Sequence, residues 1–133
     1  MAGMAVELVG LDHVAINVSD LQKSAAFYEH VFGFTILHTW TTTWMVGRGN
    51  VKLGLFYRPD AKSPPDLETV FVIKHVAFLV DGDKFAAAQD ALRLSGIPFD
   101  GPEDTGIAYS VFFRDPDNIQ IELTTYHAAS APS

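Results

Sequence analysis

Three features of the 133-residue chain predict an α+β fold built from two copies of one βαβββ unit. The tripeptide His-Val-Ala occurs twice, beginning at His13 and His75, which lie 62 positions apart. The surroundings match as well: Leu11-Asp-His-Val-Ala-Ile-Asn-Val18 against Ile73-Lys-His-Val-Ala-Phe-Leu-Val80. Each copy is followed by a helical pattern and then by strand patterns, and self-similarity at this spacing marks a repeated supersecondary unit.

In the first copy, Leu8 to Val18 reads as a strand in which Val14, Ile16 and Val18 alternate with His13, Ala15 and Asn17, so the histidine points away from the apolar side. Ser19-Asp20 supplies a helix cap. Leu21, Ala25, Tyr28 and Phe32 then follow at helical spacing until Gly33, predicting a helix over 20–32. Three strands are expected near 34–40, 42–48 and 50–57, with Gly47-Arg-Gly-Asn50 as the last turn. Module one thus spans about 8–57.

The stretch 58–68 concentrates Pro, polar and charged residues and reads as an exposed connector with polyproline character. Module two, about 70–126, repeats the order: a strand over 70–80, a helix over about 83–95 closed by Gly96, and strands near 97–100, 107–114 and 118–125. Asp115-Pro-Asp-Asn118 forms the last hairpin turn. The tail, 127–133, is expected to fray. The whole chain, 1–133, is read as one domain.

With 48% apolar residues and no transmembrane-length run, the chain suits a compact core. A formal charge of −7, with only nine Lys and Arg, argues against nucleic acid or an anionic membrane as partner. No cysteine occurs, which removes disulfides, thiolate metal sites and cysteine nucleophiles together. The N-terminal residues lack the pattern of a secretory signal, so a cytoplasmic location is expected.

His13, His75 and Glu122 form a candidate two-histidine, one-carboxylate metal site. Alternation in Ile119-Gln-Ile-Glu-Leu123 puts Gln120, Glu122 and Thr124 opposite Ile119, Ile121 and Leu123. A carboxylate on so apolar a strand needs a partner, and a cation is an economical one. Taken singly each residue has a plainer explanation, a hydrogen-bonded histidine or a salt-bridged glutamate; the repeated context is what joins them.

The doubled unit, together with Leu11-Asp-His-Val-Ala-Ile-Asn-Val-Ser-Asp-Leu21, Phe27-Tyr28, Phe32-Gly33-Phe34 and Phe113-Arg-Asp-Pro-Asp-Asn-Ile-Gln-Ile-Glu122, resembles the vicinal oxygen chelate superfamily over about residues 8–126. That superfamily includes glyoxalase I, extradiol dioxygenases, fosfomycin-inactivating enzymes, epimerases and bleomycin-resistance proteins. The resemblance implies paired modules rolled into a cup-shaped incomplete barrel, a homodimer, and metal ligands from the first and last strands of each module. His13 and His75 match the first-strand ligands and Glu122 the last-strand ligand of module two. Gly54 falls at the fourth position, which leaves that side of the metal open. The resemblance leaves open whether one chain or two build each site.

The implied substrate is a small organic molecule whose two neighbouring oxygens chelate the metal. Two histidines and one carboxylate are the facial set of non-haem Fe(II) oxygenases, so an Fe(II) dioxygenase-type oxidoreductase is the favoured expectation, with Mn(II), Zn(II), Ni(II) or Co(II) as alternatives. A glyoxalase- or epimerase-like lyase or isomerase is weakened by Gly54. A fosfomycin-type enzyme is weakened by Ala15, where those enzymes carry threonine, and by the lack of Lys or Arg after Glu122. The extradiol tyrosine position holds Phe112, with Tyr109 nearby but out of register. A metal-free antibiotic-binding protein is the non-enzymatic alternative. His38 and Tyr109 are weak catalytic candidates, and Trp40, Trp44, Phe56, Tyr109 and Phe112 are candidates to line the substrate pocket.

Overall fold

The computed structural model describes residues 4–128. The first module runs β1 (Val14–Val18), α1 (Leu21–Phe32), β2 (Thr35–Thr39), β3 (Thr43–Arg48) and β4 (Val51–Tyr57). The second runs β5 (Val76–Leu79), a 3₁₀ turn (Gly82–Lys84), α2 (Phe85–Leu94), β6 (Asp100–Asp104), β7 (Ala108–Arg114) and β8 (Gln120–Tyr126). Each module makes a four-stranded sheet, ordered β1-β4-β3-β2 and β5-β8-β7-β6, and no closed barrel forms. The first strand of each module runs parallel to the last, in the same offset: Val14 opposite Leu53 and Ala15 opposite Gly54, Val76 opposite Ile121 and Ala77 opposite Glu122.

Helix α1 starts where Asp20, in extended conformation, accepts a hydrogen bond from the Lys23 amide at 3.0 Å. It stops at Gly33, whose φ of 69° is left-handed and whose amide donates to the Glu29 carbonyl at 2.8 Å. The second helix differs from expectation at its start: Gly82–Lys84 winds as a 3₁₀ turn, and among the described residues no side chain caps α2.

Two strands are shorter than the sequence pattern suggests. Residues 8–13 and 70–75 carry the apolar pattern, yet pairing begins only at Val14 and Val76. The parallel neighbours β4 and β8 begin at Val51 and Gln120, so the chain before β1 and β5 has almost no strand beside it. Apolar side chains there stay in the open, among them Leu8, Val9, Leu11, Phe71 and Ile73. Strand β6 begins at Asp100 rather than 97, beyond Pro98, which has no amide for a ladder. The tail is anchored at its first residue, where His127 donates its amide to the Ile107 carbonyl at 2.9 Å; residues 129–133 lie outside the described part.

One core serves both sheets. Ile16, Val18, Leu53 and Leu55 of the first sheet and Val111, Phe113, Ile121 and Leu123 of the second are buried in the same cluster, with Tyr28 of α1 among them. Each such side chain contributes about 1.5–3 kcal/mol by leaving water. Helix α1 touches both sheets, its Phe32 ring 4.9 Å from Phe78 and 6.2 Å from Phe113. Polar links join the modules at the same place. Tyr28 donates its hydroxyl to Asp115 Oδ2 at 2.8 Å, and the Ser19 amide donates to Asp117 Oδ2 at 3.0 Å. Because each sheet turns one face to this core, its other face looks outward.

Candidate metal centre

The outward face of the second sheet holds two of the three expected ligands together. Glu122 is on β8 between Ile121 and Leu123, both buried in the core, so its carboxylate projects from the opposite side. His75 immediately precedes β5, and its Nε2 lies 3.2 Å from Glu122 Oε1. The pair is half sheltered, with side-chain exposure of 41% for His75 and 14% for Glu122. The Ser110 hydroxyl, on β7, donates to Glu122 Oε2 at 2.9 Å and lies 3.0 Å from Thr124 Oγ1. The ring of Phe112, opposite Glu122 in the β7–β8 ladder, stands edge-on to His75 at 6.5 Å. Ser110 escaped the sequence reading, although strand parity places it on the same face as Phe112.

His13 sits on the outward face of the first sheet. A Cβ built on Gly54 would lie 3.7 Å from His13 Cδ2 and 3.4 Å from Phe56 Cε2, so the three positions adjoin. His13 Nδ1 lies 2.7 Å from Asp12 Oδ2, and Lys52 donates to the other carboxylate oxygen at 3.1 Å. These two hydrogen bonds, from His13 first and Lys52 second, hold the Asp12 carboxyl below its ordinary pKa. With Nδ1 directed at Asp12, Nε2 is the ring nitrogen left for a ligand, the arrangement that orients metal-bound imidazoles.

His13 and the His75–Glu122 pair therefore project from different sheets, on faces turned away from a common core. Among the described residues no three His, Asp or Glu side chains converge on one point. The donor chemistry, imidazole and carboxylate, fits a divalent ion, and one chain brings two of the three donors together.

The other candidates divide by face. Phe112 shares the Glu122 face and Phe56 the Gly54 face. His38 pairs with Met45, which pairs with Gly54, so His38 lies on the outward side of the first sheet but at its far strand, its ring 4.4 Å from Trp40. Trp40 is exposed there. Trp44 pairs with Leu55 and packs against the core, away from Gly54. Tyr109 pairs with Thr125 and falls on the face opposite Glu122, its ring 4.3 Å from that of His127. His127 Nε2 in turn lies 2.9 Å from Asp104 Oδ1, and this bond, with one from the Gly106 amide, lowers the Asp104 pKa. Strand alternation turns both Tyr109 and Trp44 from the ligand faces: Trp44 packs against the core, while Tyr109 stays exposed beside His127.

Residues 10–123 match the family model of the Glyoxalase/Bleomycin resistance protein/Dioxygenase superfamily, and the chain belongs to that superfamily. It is 32% identical over 117 residues to the metallothiol transferase FosB of Lysinibacillus sphaericus (strain C3-41), covering 86% of this chain and 81% of that protein. It is 34% identical over 131 residues to a probable lactoylglutathione lyase of Vibrio parahaemolyticus serotype O3:K6 (strain RIMD 2210633), covering 90% and 92%. The fold agrees with that of the integron cassette protein HFX_CASS4 from the mobile metagenome of the Halifax Harbour sewage outfall. The TM-score is 0.76 at 22% identity, over 89% of this chain and 99% of the other.

Proposed function

We propose that the protein is a divalent-metal-dependent enzyme whose site is completed between two copies of the chain, with His75 and Glu122 from one and His13 of the partner subunit. The observation that carries this reading is the His75–Glu122 contact at 3.2 Å on an outward face. That pair is ready to share a cation, while the third donor of its own chain faces elsewhere. Strands β1 and β5 are open sheet edges, and an unpaired edge invites another strand. The apolar residues just before them, Leu8, Leu11, Phe71 and Ile73, are exposed at 82% or more, as a surface awaiting a second copy is.

A bound divalent ion would polarise two neighbouring oxygens of a small organic substrate as a Lewis acid. Glu122 contributes the negative charge and Ser110 fixes one of its oxygens. Asp12 holds the His13 ring by Nδ1. Phe112 and Phe56 provide apolar wall beside these donors, and Gly54 leaves space next to His13. Fe(II), Mn(II), Zn(II), Ni(II) and Co(II) all accept such donors.

For the reaction we favour transfer of a thiol nucleophile to an oxygen-bearing electrophile over the oxygenase chemistry that the ligand set first suggests. The two relatives are a metallothiol transferase and a probable lactoylglutathione lyase, and neither name denotes an oxygenase. Transfer is preferred to the lyase because Gly54 offers no carboxylate at the fourth position to move a proton. A dioxygenase with Fe(II) is the second reading, resting on the same donors. A cytoplasmic location accompanies both; among the described residues no helix is long and apolar enough to cross a membrane.

Mixing two inactive variants tests the shared site. His13→Ala and Glu122→Ala are each expected to lose metal as pure proteins and, co-refolded in equal amounts, to regain about a quarter of the wild-type metal, since about half of the dimers are mixed and each of these has all three donors at one of its two sites. A site built within one chain gives no recovery. No metal uptake by the wild type under any loading would remove the enzyme reading and leave a metal-free binding protein.

A further inference from the structure

A cavity of about 340 Å³ lies on the core side of the second sheet, where the end of α1, the end of β3, strand β5 and α2 meet. Phe32, Phe34, Phe78 and Leu92 make its wall, Ala91 lines it as an exposed residue of α2, and Arg48 is the one charged residue lining it among the described residues. Leu123 also contributes, and because Leu123 and Glu122 project from opposite sides of β8, this cavity and the His75–Glu122 pair open on opposite faces of one sheet. Its size lies within the roughly 300–1,000 Å³ of small-molecule sites, which are apolar with a few oriented polar groups.

Arg48 gives the cavity its chemistry. The guanidinium stands beside the C-terminal end of α1, its Nη1 3.4 Å from where a Cβ on Gly33 would be. It makes no ion pair or hydrogen bond to a side chain or carbonyl among the described residues, although the chain has 16 Asp and Glu to its nine Lys and Arg. A guanidinium presents its donors as a flat fork that a carboxylate fills bidentately. We propose that this cavity binds an amphipathic organic anion, its carboxylate on Arg48 and its hydrocarbon body among the phenylalanines. A cation is excluded by Arg48. A fully polar anion would leave the phenylalanine wall unmatched.

Calorimetric titration of the 133-residue protein, with Mn(II) or Zn(II) added, with dodecanoate kept below its micelle concentration, tests this. The expected result is saturable binding of one dodecanoate per chain, with no binding of dodecyltrimethylammonium. Arg48→Met is expected to weaken dodecanoate at least about tenfold, since a charge-assisted contact is lost. Ala91→Trp, which adds an indole to the cavity lining, is expected to abolish binding. His75→Ala is expected to bind dodecanoate as the wild type does while losing metal, which separates this cavity from the metal reading. Absence of saturable binding by the wild type overturns the proposal, as does unchanged affinity in Arg48→Met. If Ala91→Trp fails to fold, Arg48→Met, at an exposed strand end, decides alone. Dissociation of dimers by Arg48→Met in sedimentation, without loss of fold, would assign the groove to a second copy of the chain instead.

Discussion

Tyr28 donates its hydroxyl to Asp115 at 2.8 Å across 87 positions of sequence, joining the first helix to the turn that leads into the strand of Glu122. Both groups are buried, and Asp115 also accepts from the Asp117 and Ile119 amides, each at 2.9 Å. The bond thus ties the modules together and shapes the turn before β8. Burial, the largest cause, raises the Tyr28 pKa well above that of a free phenol, so the hydroxyl remains a donor throughout the working pH range.

Removing that donor has a calculable cost. Tyr28→Phe keeps the ring against Phe32 and Phe34 but leaves a desolvated carboxylate one hydrogen bond short, which costs about 1–3 kcal/mol. Urea unfolding of the two proteins measures it. A difference under about 0.5 kcal/mol, the range of neutral surface changes, would mean that water replaces the hydroxyl.

The same carboxylate sets a pH dependence. Burial is the largest cause acting on Asp115 and raises its pKa above 3.8, outweighing the donors that act in the opposite direction. Folding therefore favours the protonated acid: its contribution is fully present below 3.8 and is lost as pH rises through the folded-state value. Asp12 and Asp104 act oppositely, their pKa values being lowered by hydrogen bonds, so their contributions are lost as pH falls. The stability of the wild type minus that of Asp115→Asn should accordingly decline from acid toward neutral pH. A difference that rises with pH would show that the hydrogen bonds outweigh burial.

The repeat made most of this architecture legible in the sequence, because one pattern, read twice, gives the succession of elements and the faces of β1 and β8, while the order of strands within each sheet comes from the structure. Phe112 and Glu122 fall on one face by strand pairing alone. Tyr109 and Trp44 show where such reading ends: both are large and aromatic, but parity turns them to the side opposite Glu122 and Gly54, where Trp44 packs on the core and Tyr109 is exposed. The segments before β1 and β5 mislead for a different reason. Alternating apolar residues report that a surface is to be covered, not whether the same chain covers it. Ser110 and Asp12 were hidden because their role depends on which side chain a neighbouring strand or residue brings within hydrogen-bond reach.

Ser110 and Asp12 provide a test of the metal centre that leaves its donors in place. Each orients a donor, Ser110 through Glu122 Oε2 and Asp12 through His13 Nδ1. Loss of such an orienting partner typically weakens a metal about 10–100-fold. Ser110→Ala and Asp12→Ala should therefore bind Mn(II) or Zn(II) more weakly by that order in chelator competition; the metal-free Asp12→Ala protein should unfold close to the wild-type midpoint, whereas Ser110→Ala, which takes a buried donor from Glu122, should also lose about 1–3 kcal/mol. Equal affinity in both variants would take Glu122 and His13 out of the centre.

Gly54 offers the converse experiment, the addition of a donor. A Cβ at this position meets Phe56 and His13 at 3.4 and 3.7 Å, ordinary contact distances, so Gly54→Ala should fold with stability altered by no more than about 1 kcal/mol. Gly54→Glu would then place a carboxylate on the strand beside His13, on the same outward face. If a metal sits there with an open side, the added oxygen should strengthen its retention against chelator and, by filling a position meant for substrate, weaken substrate binding. Gly54→Ala serves as the control for bulk alone. Metal retention reduced equally by Ala and Glu would show that Gly54 is needed for space beside Phe56, and that the open side of the metal lies elsewhere.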